Sequence, residues 1–87
     1  MKTKVLGSQA ACGTSSGNGS NFGNATVVRL YNSGTTARLI SVEDSSNTLI
    51  GTFTLAGGRT EFVEKNASDE IFAANAEVLG VGVAITT

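Results

Sequence analysis

The stretch "EVLGVGVAIT", residues 77–86, decides the fold. Leu79, Val81, Val83 and Ile85 fall on one side of an extended chain, and Val78, Gly80, Gly82 and Ala84 on the other, which is the period-two alternation of a strand. The second side is nearly bare of side chains. A face like that implies that another backbone or a large side chain closes on it.

Working back along the chain, the same alternation returns. "TVVRLY" (26–31) and "ARLISVE" (37–43) are rich in β-branched residues and are separated by the turn "NSGTT". "TLIGTFTL" (48–55) follows the polar turn "DSSN", and "TEFVEK" (60–65) follows "AGGR", whose glycines can supply a positive φ. Residues 68–80 read two ways. Ser68 is placed as an N-cap for a helix over 69–76, and a short strand at 70–74 competes with it; the strand is the favoured reading. Turn signals recurring about every ten residues predict an all-β fold, a small antiparallel β-sandwich or barrel of about six strands.

Composition changes near residue 24. From Gly7 to Asn24 most positions are Gly, Ser, Asn or Thr, and Phe22 is the only large apolar residue. So little apolar surface does not offset the entropy of ordering the segment, which predicts an extended, mobile arm over 1–24 and a β domain over 25–87.

The chain has 87 residues, with six Lys/Arg against seven Asp/Glu and a net charge of −1. This balance gives no broad field to steer the molecule to nucleic acid or an anionic membrane. Lys2 and Lys4 followed by "QAAC" mimic a lipoprotein leader, but Val5 and Leu6 fall short of the roughly 7–15 apolar residues such a leader needs. With no histidine and one cysteine, the chain lacks a Cys/His set for structural zinc and a partner for an internal disulfide. Cys12 is expected to be an ordinary reduced thiol. No calcium loop or cofactor motif is present in the sequence, and Asn18, Asn24 and Asn66 match the glycosylation pattern by chance in a chain read as unexported.

One motif tests for catalysis. Gly13-Thr14-Ser15-Ser16-Gly17 has the form of a nucleophile elbow. That elbow works on a strained strand-to-helix turn with a histidine base, whereas here the flanks are "GSQAAC" and "NGSNF" and histidine is absent. Ser15 reads as linker, and no catalytic residue is assigned. The acids, Glu43-Asp44, Glu61, Glu64, Asp69-Glu70 and Glu77, read as solvating turns and strand faces. A nucleic-acid role would rest on Lys2, Lys4, Arg29, Arg38 and Arg59 with Tyr31 to stack, and the acids nearly cancel it.

A β domain of this size, without disulfide or metal, is marginal alone, so association is the expected source of added stability. Val5, Leu6 and Phe22 are the sizeable apolar groups of the arm and are the expected anchors on a neighbour. Lys65 and Asp69 bracket the "NAS" turn and are placed to pair across it, the alternative being two ordinary solvated turn charges.

Several motifs resemble those of small β-rich virion proteins of tailed bacteriophages, of the marine and cyanobacterial phage type. They are the N-x-G turn at Asn32 and Gly34, F-T-L-x-x-G at Phe53, Thr54, Leu55 and Gly58, and V-x-K-x-x-x-D-x-I-x-A at Val63, Lys65, Asp69, Ile71 and Ala73. The likeness covers about residues 27–85. It implies a non-enzymatic structural component of the virion, assembled in the host cytoplasm. The foremost expectation is a capsid decoration or cement protein that contacts the major capsid protein or other virion proteins and self-associates as a homo-oligomer. Alternatives are a neck, tail or fibre-associated component, or a module that binds host-surface polysaccharide.

Overall fold

The computed structural model describes residues 2–86, and within them the chain is all β. Eight strands follow in order: β1 Lys2–Val5, β2 Ala10–Ala11, β3 Val27–Asn32, β4 Arg38–Glu43, β5 Leu49–Leu55, β6 Thr60–Glu64, β7 Glu70–Ala73 and β8 Val78–Thr86. They form two antiparallel sheets. In the first, β8 pairs with β3 on one side, and β3 with β6; β1 and β2 pair in succession along the other side of β8. The second runs β5-β4-β7.

The six strands of residues 25–87 lie where the alternation predicts them. Among the described residues there is no helix, and 70–73 is a strand. The reason is the inward period of Ile71 and Ala73, both buried and paired with Val42 and Ile40. Each turn is closed by a polar side chain or a positive φ. Asp44 Oδ1 accepts from the amides of Ser46 (2.9 Å) and Thr48 (3.0 Å), Asn75 Oδ1 accepts from the Glu77 amide (2.9 Å), and Gly58 takes φ 72°.

One core serves both sheets. Val28, Leu30 and Val78 from the first sheet cluster with Ile40, Leu55, Ile71 and Ala73 from the second. The bare side of β8 belongs to this interior, because Gly82 is paired with Val28 and Gly80 with Leu30. What closes on it is Phe22. A Cβ on Gly80 would lie 2.6 Å from the ring's Cζ, and one on Gly82 would lie 2.7 Å from Ala25 Cβ and 2.9 Å from the Phe22 carbonyl oxygen. Phe22 holds φ 54°, a left-handed backbone that a bulky side chain rarely adopts, and its amide donates to Ser20 Oγ at 3.1 Å.

The arm corrects an expectation. Instead of extending away from the β unit, its residues lie on their own two sheets. Lys2–Val5 and Ala10–Ala11 pair with β8, Cys12 is only 1% exposed within the core cluster, and Ser20 bridges Ile71 at the free edge of β7. Ser16 Oγ (2.8 Å) and the Gly17 amide (2.9 Å) both donate to the carboxylate of Glu43, which is 1% exposed on the outer side of the second sheet. Backbone and polar contacts hold most of the segment, and Cys12 and Phe22 add apolar ones. Sheet edges offer unpaired carbonyls and amides, and a glycine-rich segment can lie flat enough to meet them.

Candidate docking surface

The register of the first sheet builds its outer face row by row. Thr3 stands opposite Ile85, Val5 opposite Val83, Arg29 between Val81 and Phe62, and Tyr31 between Leu79 and Thr60. Cross-strand partners share a face, so these side chains lie on the side away from Val28, Leu30 and Gly80. Lys2 and Lys4 have the opposite parity and leave the face free of their charge.

Val81 and Val83 are buried although neither belongs to the core cluster. Their own neighbours on this outer face cover them. Around them Val5 is 62% exposed, Leu6 55%, Phe62 40% and Ile85 37%. The exposed apolar residues of this face therefore come from β1, β6 and β8, with Arg29 and Tyr31 of β3 standing between Phe62 and the rest. Between β1 and β2 the chain bulges off β8, where the Leu6 amide still donates to the Gly82 carbonyl at 2.9 Å. Under the bulge is a recess of about 260 Å³ whose lining includes Leu6, Ala10, Phe22 and Val81.

The three expected anchors thus separate. Val5 and Leu6 are exposed at the rim of this face, whereas Phe22 is half-buried and occupied inside its own fold. Phe62 and Ile85 were not singled out from sequence. The signal was present in the alternation, since Ile85 shares parity with Val83, but the sequence does not say which side of a doubly apolar strand faces out.

Lys65 and Asp69 are both buried, at 7% and 6% exposure. The Lys65 Nζ donates to the carbonyls of Ala25 (2.6 Å), Asn66 (3.2 Å) and Ala67 (3.1 Å), and Asp69 Oδ2 accepts from the Asn66 amide at 3.0 Å. The lysine clamps the entry to β3 onto the β6–β7 turn, the aspartate closes that turn, and the two attract through space. Burial lowers the Lys65 pKa below 10.5, with the Asp69 charge opposing the shift. Across the window between that lowered folded value and 10.5, the unfolded chain binds more protons than the folded one, so stability rises with pH. In Lys65→Met this contribution is gone. The urea midpoint of the parent is therefore expected to rise relative to that of the variant as the pH climbs through the window below 10.5; a difference independent of pH there would contradict the assignment.

The remaining polar candidates are structural. Ser15 is an exposed turn residue whose Oγ accepts from Asn18 Nδ2 at 2.8 Å. Both Glu43 oxygens are engaged by Ser16 and Gly17. Arg38 pairs with Glu77, and Arg29 stands on the other sheet, so these two arginines do not converge. Burial pushes the Cys12 thiol up to about 12, which makes it a core residue rather than a nucleophile. Among the described residues no group of three or more potential ligands is placed to hold a metal, and no helix is long and apolar enough to cross a membrane. Comparison of the chain with protein-family models, with curated proteins and with solved structures gave no match.

Proposed function

We propose that the chain is a small β-sandwich that serves as a non-enzymatic structural protein of a phage particle, a decoration or cement protein docking on the shell and on neighbouring subunits. One observation carries the reading: the outer face of the first sheet presents Val5, Phe62 and Ile85, with Leu6 exposed beside Val5 where the chain leaves β1. Fully burying an exposed Val or Phe side chain contributes on the order of 1.5–3 kcal/mol, and covering Val5 and Phe62 adds the part of this that their remaining exposure of 62% and 40% allows. Repetition of the contact around a symmetric shell multiplies the effect through avidity. The sequence motifs that resemble phage virion proteins map onto the frame beneath this face: Asn32 ends β3, and the Lys65–Asp69 segment follows β6.

The test is co-sedimentation of the purified chain with empty shells from the same source. The parent is expected to pellet with the shells, and the double variant Val5→Asp/Phe62→Asp to bind at least about tenfold more weakly, a loss of roughly 1.4 kcal/mol. Both positions are exposed, so circular dichroism should show the same fold. A double variant that binds as well as the parent, or a parent that stays in solution, overturns the reading.

A further inference from the structure

We infer that β5 is a self-association edge, where two copies of the chain pair antiparallel about a two-fold axis through Thr52. This goes beyond the shell-docking reading, because β5 belongs to the second sheet and contributes nothing to the face described above.

The sheet edges are managed unequally. Along β1 stand Lys2 and Lys4, and β6 carries Glu61 and Glu64. The free side of β7 is covered: Ser20 and Ile71 exchange backbone hydrogen bonds at 3.0 and 2.9 Å, and the Ala73 amide donates to the Gly13 carbonyl at 3.0 Å. Charge and cover are the usual devices that prevent edge-to-edge pairing. β5 has neither. Among the described residues it pairs with β4 alone, its sequence LIGTFTL contains no charge and no proline, and Leu49 and Ile50 are 58% and 59% exposed.

The strand is also complementary to itself. Centred on Thr52, antiparallel pairing sets Gly51 opposite Phe53 of the second copy and Thr52 opposite its own equivalent. Threonine pairs and aromatic–glycine pairs are both favourable across strands. The structure leaves room for the second of these. A Cβ on Gly51 would meet nothing within 4 Å, and Phe53, packed on the core of its own copy, stays partly exposed, so the exposed side of each ring can meet the facing glycine. Two such contacts arise by symmetry, as an isologous interface requires. The register shift opposite Val42 and Glu43 leaves Ile50 as the extra residue of a β-bulge in β5 itself, so the regular strand starts at Gly51 and symmetric pairing is confined to Gly51–Phe53.

Sedimentation equilibrium on the full chain is expected to show a concentration-dependent dimer. Thr52→Lys sets two like charges face to face and should weaken dimerisation by at least about tenfold. Circular dichroism of that variant should match the parent. Register is tested by oxidation with glutathione disulfide. Thr52→Cys should give a covalent dimer, because the two positions face each other. Ile50→Cys should not, because its equivalent lies roughly 14 Å along the strand at about 3.4 Å per residue, past the ~7 Å limit between Cα atoms. The native Cys12 is buried and does not compete. A parent that stays monomeric at every soluble concentration, a Thr52→Lys chain that dimerises as the parent does, or an Ile50→Cys chain that cross-links as readily as Thr52→Cys overturns the inference. Failure of shell binding leaves all of these outcomes unchanged.

Discussion

Gly80→Val is expected to melt far below the parent, by roughly 12–24 °C for a loss of about 3 kcal/mol in a domain of this size. Gly80 lies in the centre of β8, paired with Leu30 on one side and Ala10 on the other, so its backbone cannot shift without breaking two ladders. A Cβ there would stand 2.6 Å from Phe22 Cζ, 2.8 Å from its Cε1 and 3.0 Å from Leu30 Cδ2, before the valine methyls are added. Leu30 is fully buried and has nowhere to move. The Phe22 ring must therefore give way, and any shift of the residue that carries it also disturbs the approach of its carbonyl and of Ala25 to Gly82. A reciprocal pair separates this steric account from a general intolerance of β8. Gly80→Ala should be strongly destabilising alone, and Phe22→Ala moderately so. Combined they should cost less than their sum by about 1 kcal/mol or more, because the smaller residue at 22 vacates the space that the methyl needs. Thermal melts of the four proteins give the coupling directly. Strict additivity would mean that Phe22 is not what fills the bare side of the strand.

How much of this was legible beforehand depends on where each residue's partner sits in the sequence. The six strands of residues 25–87 announce themselves, because β-forming runs of four to nine residues are punctuated by polar turns. The closed side of β8 was readable as well: two glycines in a valine-rich strand state that something approaches. β1 and β2 carry no such signal. All of their side chains are exposed, so no alternation exists to detect, and they are strands only because β8 offers them a backbone ladder. Glu43 and Lys65 looked like surface charges. Glu43 is buried by Ser16 and Gly17, 27 and 26 positions away, and the closest acceptor of Lys65 is the Ala25 carbonyl, 40 positions away. Distant polar partners leave no local pattern. The shortage of interior that suggested association is also partly relieved by the chain itself, since Cys12 and Phe22 bring apolar surface from the glycine-rich segment into the core.

Asn32→Leu is expected to cost about 3 kcal/mol or more, although it replaces a fully buried polar side chain with an apolar one of similar volume. The reason lies in what the amide holds. Its Nδ2 donates to the Thr36 carbonyl at 2.8 Å and to the Leu55 carbonyl at 3.0 Å, while its Oδ1 accepts from the Gly34 amide at 3.0 Å. Its main chain is equally committed, with its amide on the Arg59 carbonyl at 3.0 Å and its carbonyl taking the Gly58 amide at 2.9 Å. Asn32 therefore joins the end of β3, the β3–β4 turn, the end of β5 and the β5–β6 turn, tying the first sheet to the second. Leucine would leave two carbonyls and one amide without partners, each costing about 1–3 kcal/mol where water cannot reach it. Some relaxation of the turn toward solvent lowers the sum, which is why the expectation sits near 3 rather than at the total. Asn32→Asp should not rescue the site, because it keeps the acceptor for Gly34 but turns both donations into opposed oxygens. Ser33→Ala is the control. Its hydroxyl donates to the Glu77 carbonyl at 2.6 Å from an exposed position, where water can substitute, so it should stay within about 1 kcal/mol of the parent. Urea midpoints of the four chains rank the effects, and amide exchange at Gly34 and Gly58 locates them. If Asn32→Leu unfolds with the parent, the polar tie between the sheets is dispensable and the shared apolar core alone holds them together.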